Sequence, residues 1–394
     1  MSATDAQIEQ RIRHIENGLV EVEPTFTAIL QAGGAWPEKK MALPERMAHY
    51  KVPGVSMAII NDHSVEWAKG YGVTAADSDM PVTTETLFEA ASTTKVLAAV
   101  IALRMVERGQ LDLDEDVNAQ LRSWQIPESP FTQDQKVTLR RLLTHQSGFN
   151  RPPGGFDLEE GSTPSLVQVL NGQAPARNLA AAVESVPGSE HQYSNFGYLV
   201  VQLLLEDLLG QPYPQIAQEI VFQPLGMVAS TLAHPLSADL QVEVALPHDE
   251  EGEPHRRAMH PTALAQGGLL TTASDLAQFS VELMRTHQGR SSRLLSPETV
   301  QRMFRPELDI EPEQFLGITG QGLGFFTIAD GQNLYFLHPG HNDPGANSML
   351  IASPVAGKGA VILANGFNGG RLAAEILAAM VREYGWPTVQ YAAN

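Results

Sequence analysis

Strand-like segments occupy both ends of this 394-residue chain, while the long middle section has the apolar spacing of helices. Two runs rich in β-branched and aromatic residues, Gly54–Ile60 and Val65–Tyr71, are separated by the turn-forming Asn61–Ser64 and predict a hairpin. Strands from the two ends can share a sheet only if the chain returns to its start. This order therefore predicts one antiparallel sheet, flanked by helices, with a helical insertion, which is an α+β architecture.

The other predicted elements are separated by segments rich in Pro and Gly. The predicted helices are Val96–Arg108, Leu139–Leu143, Tyr198–Leu209, Ala273–Arg285, Pro297–Phe304 and a closing helix over Arg371–Tyr384. The predicted late strands are Gly324–Ile328, Leu334–Leu337, Ser348–Ile351 and Ala360–Leu363.

Charge and composition exclude several classes of protein. Asp and Glu number 45 against 26 Lys and Arg, which gives a formal charge of −19. Because such a surface repels phosphate backbones, we expect no nucleic-acid partner. The chain has no cysteine, which excludes disulfides, thiolate metal sites and a cysteine nucleophile.

Neither a secretory signal nor a membrane span is visible in the sequence. Residues 1–30 lack a basic stretch followed by an apolar core and a cleavage site. The longest apolar run, Val96–Leu103, is too short to cross a bilayer. We therefore expect a cytoplasmic protein without a membrane partner.

The strongest chemical signal is Ser92-Thr93-Thr94-Lys95, at the start of a predicted helix. Residues three apart on a helix share a face, so the Ser92 hydroxyl and the Lys95 amine should lie together. The positive end of the helix dipole also favours an oxyanion there. A serine nucleophile needs a base, and a partly desolvated lysine can be that base. The alternative is an N-terminal cap with an incidental lysine, yet Lys95 is the only lysine with a serine three residues before it.

A second signal is Tyr193-Ser194-Asn195, which follows the turn-forming Pro187-Gly188 and precedes a predicted helix. A nearby lysine ammonium would lower the pKa of the Tyr193 phenol and let it carry protons at neutral pH. Asn195 offers a donor and an acceptor to a substrate amide or ester. The alternative is a packed aromatic side chain followed by a turn.

A third signal is His338-Pro339-Gly340, directly after a predicted strand. Glycine lets a ligand approach the backbone, and an edge strand there can donate an N–H to an oxyanion. His338 and His341 could alternatively hold a metal, although no third ligand is clustered with them. The same holds for three histidines that we expect in an exposed, Glu-rich loop: His248, His255 and His260.

Two further motifs are interpreted as structural. Gly267-Gly268 would allow tight packing before a helix capped by Thr272 or Ser274. Thr144-His145-Gln146-Ser147-Gly148 would be a helix end closed by its glycine. The chain has no Gly-x-Ser-x-Gly, which argues against the nucleophile elbow of an α/β hydrolase.

In this order, the three signals resemble the motifs of the serine β-lactamase and penicillin-binding-protein superfamily. The most similar branch contains class C β-lactamases, DD-peptidases, D-aminopeptidases and β-lactamase-like esterases. Ser92-x-x-Lys95 matches the first motif, Tyr193-x-Asn195 the second and His338-x-Gly340 the third. The resemblance runs from about Val52 to Pro387 and includes Thr86–Phe88, Leu142–Gly148, Pro187-Gly188, Pro224–Met227 and Gly267–Thr272.

The resemblance implies a DD-peptidase/β-lactamase-like fold with the active site in a cleft between two regions. Residues 1–90 and 290–394 would form an α/β region in which helices cover both faces of the sheet. Residues 91–289 would form a mostly helical region. No cofactor and no metal is implied.

The resemblance also implies acyl transfer through an acyl-enzyme that water then releases. Ser92 would attack a carbonyl while Lys95 and Tyr193 take and return the proton, and Tyr193 would activate the water. The implied substrate-binding and oxyanion residues are Asn195, His338, Gly340 and His341, the last through its backbone N–H beside that of Ser92.

Two departures from the family pattern narrow the expected function. His338 stands where class C β-lactamases carry lysine, which disfavours strong β-lactamase activity and resembles certain peptidases and esterases. The segment His341–Gly345 is one residue longer than the usual loop and could displace the oxyanion donor.

We therefore predict a serine hydrolase of small esters or amides with weak activity on β-lactams. The alternatives are a D-amino-acid-specific peptidase or DD-carboxypeptidase, and a catalytically inactive binding protein. The partner would be a small ester, amide or peptide, and the sequence does not indicate an oligomeric state.

Overall fold

A computed structural model of the chain describes residues 3–31, 36–151, 156, 159, 161–236, 244–255 and 260–390. Its helices are α1 (Ala3–Glu16), α2 (Phe26–Gln31), α3 (Leu43–Tyr50), α4 (Lys95–Glu107), α5 (Leu139–Leu143), α6 (Leu166–Asn171), α7 (Asn195–Leu209), α8 (Tyr213–Ala217), α9 (Gln223–Leu225), α10 (Ala273–His287), α11 (Pro297–Phe304) and α12 (Gly369–Tyr384). Its strands are β1 (Gly54–Asn61), β2 (Ser64–Gly72), β3 (Phe88–Glu89), β4 (Leu270–Thr271), β5 (Leu308–Asp309), β6 (Gly320–Gln321), β7 (Phe326–Ala329), β8 (Leu334–Asn342), β9 (Ala346–Ser353) and β10 (Lys358–Ala364).

The main sheet joins the two ends of the chain. Its eight strands run in the order β2-β1-β10-β9-β8-β7-β6-β5, and every pairing is antiparallel. Strand β1 pairs with β10, with Val55 opposite Ala364 and Ile60 opposite Gly359. The predicted α+β architecture, with an antiparallel sheet flanked by helices, is confirmed.

The two faces of the sheet pack into two separate cores, because successive strand residues point to opposite sides. On β8, Phe336 belongs to the core shared with α4, α7 and α10. Tyr335 and Leu337 belong to the core shared with α2, α3 and α12. Helix α10 packs on β1, β2 and β10, although the sequence-based division assigned it to the helical region. That division stays a prediction.

Helix α4 is buried on all sides, from Lys95 through Leu103. Its sequence explains this position, since a helix that is apolar all round is stable only inside a protein. The helix therefore holds the turn that precedes it, and with it Ser92, at a fixed place beside the sheet.

His248 is not in an exposed loop, so the prediction for this residue is wrong. Its side chain is fully buried and accepts a hydrogen bond from the Ala76 N–H at 2.9 Å. Its other ring nitrogen donates to the Asn365 carbonyl at 2.7 Å. The imidazole thus satisfies two backbone groups that the fold buries. Residues 256–259 of the same predicted loop lie outside the described residues.

None of the helices in the described part of the chain combines the length and apolar character that a bilayer crossing needs.

Candidate active site

Ser92 lies in a single 3₁₀ turn, Ala91–Thr94, that leads directly into α4. Side chains three residues apart in such a turn eclipse each other. Lys95 Nζ accordingly lies 3.1 Å from Ser92 Oγ. Ala91 has a φ of 45°, which is uncommon for a residue other than glycine and makes the turn sharp. The structure thus brings together the two residues that the first motif predicted to be neighbours.

Hydrogen bonds tie this turn to the middle of the sheet. Thr93 Oγ1 lies 3.0 Å from the His338 carbonyl oxygen and 2.8 Å from Ser348 Oγ. Ser348 Oγ also donates to the Ala90 carbonyl at 2.6 Å. The sequence analysis missed Thr93 and Ser348, because their partners lie more than 200 residues away along the chain and no spacing rule connects them.

Lys95 is fully buried, at 0% exposure. Its amine donates to the Gln266 carbonyl at 2.6 Å and lies 5.0 Å from the ring centroid of Tyr193. None of the ion pairs among the described residues includes Lys95. Burial lowers the pKa of Lys95 well below its usual value, and the charge of Arg151 lowers it further. The amine is therefore shifted toward the neutral form, which can accept a proton.

The Tyr193 phenol is close enough to the Ser92 hydroxyl for that group to lower its pKa. Burial raises the pKa of Tyr193, and the opposing effects of the Ser92 hydroxyl and the Arg151 charge are smaller. The predicted lowering of this pKa is therefore wrong. Lys95 lies over the face of the ring and is itself shifted toward the neutral amine, so no ammonium stabilises a phenolate. Tyr193 is a protonated phenol at neutral pH.

His145 belongs to the motif that was interpreted as a helix end, yet its ring contacts the site. The His145 and Tyr193 rings are stacked, with centroids 4.1 Å apart. The sequence signal that could have identified His145 is the position of a histidine between a helix end and Gly148, where a turn can direct it back toward the core.

Strand β8 passes beside the turn of Ser92 at Gly340. A Cβ atom on this glycine would lie 2.6 Å from the Ala90 carbonyl oxygen and 3.0 Å from the Ser92 nitrogen. Only glycine permits this approach of the two backbones. Pairing of β8 with β9 is regular through Asn342, so an additional residue in this segment, as predicted from the sequence, would lie within the turn of residues 343–345.

His338 lies on the same face of β8 as Gly340, and its ring is buried at 1% exposure. Its Nδ1 lies 2.7 Å from the Pro339 carbonyl oxygen. Burial is the main cause that lowers the pKa of His338 to about 3, and a positive charge on Lys95, when it is protonated, acts in the same direction. The imidazole is therefore neutral at physiological pH and presents no positive charge to a substrate.

The His341 side chain points to the opposite face of β8, because successive strand residues alternate. Its ring nitrogens lie 3.1 Å from Asn347 Oδ1 and 3.2 Å from Asp343 Oδ1. Two histidines on opposite faces of one strand cannot bind one ion together, so His338 and His341 do not form a metal site. Within the described ranges, no group of three His, Asp or Glu side chains could hold a metal ion.

Two asparagines lie near the reactive groups. Asn195 begins α7, and its Oδ1 is buried without a partner among the described residues. Asn342 shares the face of His338 and donates to Glu89 Oε2 at 3.0 Å and to the Gly267 carbonyl at 3.3 Å. The sequence analysis missed Asn342, and it treated Gly267-Gly268 as structural although the preceding Gln266 carbonyl holds Lys95.

An aromatic cluster lies beside Tyr193. The Phe326 ring centroid is 5.0 Å from that of Phe315 and 5.1 Å from that of His338. Phe315 is half-buried, with its ring centroid 6.2 Å from that of Tyr193. These rings give one side of the site an apolar character.

Arg151 is an exposed cation whose charge lowers the pKa values of both Lys95 and Tyr193. Its backbone neighbour Asn150 accepts a hydrogen bond from Ser194 Oγ at 3.3 Å, which holds this part of the chain against the second motif. The sequence analysis did not identify Arg151. Residues 152–155, which follow it, lie outside the described residues.

Similarity to known proteins extends over most of the chain. The β-lactamase family profile matches residues 41–382. Penicillin-binding protein 4 of Amycolatopsis lactamdurans is 27% identical over 345 residues, which are 84% of each chain. EstCE1, a hydrolase with promiscuous acyltransferase activity, has a TM-score of 0.73 at 22% identity, over 96% of this chain and 99% of that one. The D-amino acid amidase from Ochrobactrum anthropi SV3 complexed with L-phenylalanine has a TM-score of 0.71 at 20% identity, over 95% and 99%. The two structural likenesses show the fold, and the profile match confirms the predicted family: the chain belongs to the β-lactamase family.

Proposed function

We propose that this protein is a serine hydrolase that forms an acyl-enzyme on Ser92. The observation that carries the proposal is the 3.1 Å contact between Ser92 Oγ and a fully buried lysine amine. Burial shifts that amine toward its neutral form. A hydroxyl beside a neutral amine has the base that it needs to become a nucleophile.

The pKa shifts assign different tasks to the two proton carriers. Lys95 accepts the Ser92 proton as Oγ bonds to the substrate carbonyl carbon. The resulting oxyanion is stabilised by the backbone N–H groups of Ser92 and His341. When the bond to the leaving group breaks, Tyr193 gives its proton to the departing oxygen or nitrogen and regains one from Lys95.

Water then releases the acyl group by the same steps in reverse. The Lys95–Tyr193 pair removes a proton from the water as its oxygen bonds to the acyl carbon. The bond to Ser92 Oγ breaks, and the proton returns to this oxygen. Asn195, with its buried Oδ1, is assigned to the binding of a substrate N–H.

We assign small neutral esters and amides as the first substrate class, with much weaker β-lactam hydrolysis. Support comes from His338, which is buried and neutral where a lysine would attract the carboxylate of a β-lactam. The aromatic side of the site, formed by Phe315 and Phe326, suits an uncharged substrate. EstCE1, which shares the fold, is a hydrolase with promiscuous acyltransferase activity.

A D-amino-acid-specific peptidase or amidase is the second candidate, and Arg151 favours it. The guanidinium is close enough to Lys95 and Tyr193 to alter both pKa values, so it could attract a substrate carboxylate. A D-amino acid amidase also shares the fold.

The first test is covalent labelling with a serine-directed fluorophosphonate. We expect the label on the peptide that contains Ser92 and no label or ester hydrolysis in Ser92→Ala. The matched control is Ser64→Ala, which removes an exposed serine of the hairpin turn. This variant should be labelled like wild type. Labelling elsewhere, or full activity in Ser92→Ala, would contradict the proposal and favour an inactive binding protein.

The second test compares kcat/KM for a neutral p-nitrophenyl ester, a D-amino-acid amide, a peptide ending in a D-residue and a cephalosporin. We expect the neutral ester to lead by orders of magnitude. If carboxylate-bearing substrates lead instead, and Arg151→Gln removes that preference, the second candidate is correct.

A further inference from the structure

We propose that His145 is a positioning residue that holds the phenol of Tyr193 in place for proton transfer to the leaving group. This inference rests on the proposed role of Tyr193. The geometry that points to it is a set of contacts with three successive residues: His145 binds the backbone before Tyr193, the backbone after it and the ring itself.

The backbone contacts fix the segment on both sides of Tyr193. The Gln192 N–H donates to the His145 carbonyl at 2.7 Å. The Ser194 N–H donates to His145 Nδ1 at 3.2 Å. Since Tyr193 lies between these two anchors, its Cα cannot move without breaking one of them.

The ring contact fixes the side chain. The His145 and Tyr193 rings are stacked with centroids 4.1 Å apart and an interplanar angle of 29°. Lys95 Nζ lies 5.0 Å from the Tyr193 centroid, and the Tyr193 hydroxyl is close enough to Ser92 for the Ser92 hydroxyl to lower its pKa. His145 thus sets the plane in which the hydroxyl reaches Ser92.

The backbone of His145 is itself held in an uncommon conformation. Its φ is 56°, in the left-handed region that residues other than glycine rarely adopt. This conformation closes helix α5, because the Gln146 N–H donates to the Arg141 carbonyl at 2.8 Å and a left-handed residue is common at such a helix end. The same turn directs the His145 side chain back toward Tyr193.

The protonation of His145 is determined by its contacts. Nδ1 accepts the Ser194 N–H, so it carries no proton and Nε2 carries the proton of the neutral ring. Burial is the main cause that lowers the pKa of His145, and interactions with the protonated forms of His191, Lys95 and His338 act in the same direction. The ring therefore keeps its acceptor at Nδ1 and cannot exchange a proton there. His145 thus positions Tyr193 and is not itself a proton carrier.

A positioning role predicts an effect that depends on the leaving group. A misplaced Tyr193 cannot protonate a poor leaving group, whereas p-nitrophenolate departs without an acid. In His145→Phe, which keeps a ring but lacks the acceptor, kcat/KM should fall about 10- to 100-fold for an alkyl ester, less than the roughly 10²- to 10⁴-fold that complete loss of a general acid causes. For the p-nitrophenyl ester with the same acyl group, the decrease should stay within about threefold.

His145→Asn, which keeps an acceptor but lacks the ring, should show the same dependence on the leaving group. It is the substitute test if His145→Phe does not fold. The matched control is His191→Phe. His191 is a half-buried histidine whose ring lies 5.8 Å from that of His145, and it has no ring contact with Tyr193 among the described residues. We expect no dependence on the leaving group in this control.

A double-mutant cycle with Tyr193→Phe completes the test, since a residue that acts through another loses its effect when that partner is removed. In the Tyr193→Phe background, His145→Phe should change alkyl-ester hydrolysis less than about twofold. Additive losses, or equal losses for both esters, would overturn the assignment of His145 and leave the proposed role of Tyr193 in place. Full alkyl-ester activity in Tyr193→Phe would overturn the proposed role of Tyr193, and the assignment of His145 with it.

Discussion

Two buried basic side chains lie on opposite sides of the main sheet and differ in their partners. Arg46, on α3, is 7% exposed and faces the 1% exposed carboxylate of Glu375 on α12. Its Nε and Nη2 atoms lie 2.8 and 2.5 Å from the two carboxylate oxygens. Lys95, on the other side, contacts a hydroxyl, a backbone carbonyl and aromatic rings.

The partners decide what each cation can do. The hydrogen bond with Glu375 raises the pKa of Arg46, while burial without a carboxylate lowers the pKa of Lys95. Breaking a buried ion pair is costly, whereas an unpaired buried amine responds by losing its proton. A basic side chain inside the protein is therefore a structural charge in one region and a reactive base in the other.

The largest effect should follow from replacement of Lys95, the basic side chain without a carboxylate partner. We expect Lys95→Met, which preserves most of the side-chain volume, to lower kcat/KM on an alkyl ester about 10²- to 10⁴-fold, as the loss of a general base does. Steady-state kinetics with wild type and Lys95→Met measures this change, and circular dichroism shows whether the variant is folded. Near-normal turnover in a folded variant would mean that Lys95 is not the base.

The next largest effect should follow from removal of one partner of the ion pair. Glu375→Ala leaves the buried Arg46 guanidinium without its carboxylate, so we expect a loss of about 3–5 kcal/mol in the free energy of unfolding. Urea denaturation measures it. Arg46→Met combined with Glu375→Leu removes both charges and should recover most of this loss. If the double variant is no more stable than Glu375→Ala, the unpaired buried charge of Arg46 is not the cause of the stability loss in Glu375→Ala.

Most of the sheet and the longer helices could be predicted because their patterns are local. The hairpin β1–β2 and helices α5 and α11 were predicted within a residue of their observed bounds. Strands β5 and β6 have two residues each, which is too short to show a period. Helices α2 and α3, of six and eight residues, were missed as well.

The candidate site was predictable where neighbours in sequence are neighbours in space. Ser92 and Lys95 belong to this group, since one turn places them together. The partner of Lys95 was not predictable, because it is the carbonyl of Gln266 and every residue has a carbonyl. The pKa of Tyr193 was mispredicted because a motif reveals which groups are near but not how deeply they are buried.

A third effect concerns the dependence of stability on pH. The unfolded chain binds a proton on Lys95 up to pH values near 10, whereas the folded protein, whose Lys95 has a lowered pKa, releases it earlier. The unfolded state then binds more protons, so this residue makes stability increase with pH, by at most about 1.4 kcal/mol per pH unit. Lys95→Met should show a smaller increase than wild type between pH 7 and 9 in urea denaturation. Equal slopes would indicate that folded Lys95 keeps its proton.

The smallest expected effect is a difference in the free energy of unfolding between two variants, each of which lacks one hydroxyl on one side of the sheet. Tyr50 donates to Glu375 Oε1 at 2.8 Å, and Tyr198 donates to the Leu143 carbonyl at 3.2 Å. A hydrogen bond to a charged group is stronger, so Tyr50→Phe should lower the free energy of unfolding by about 1.5 kcal/mol or more. The Leu143 carbonyl keeps a second donor, the Gly324 N–H at 3.1 Å, so Tyr198→Phe should cost about 0.5–1 kcal/mol. Urea denaturation of both variants under one condition measures the difference. A cost for Tyr198→Phe that equals or exceeds that for Tyr50→Phe would show that the charge of Glu375 does not strengthen the network on its side of the sheet.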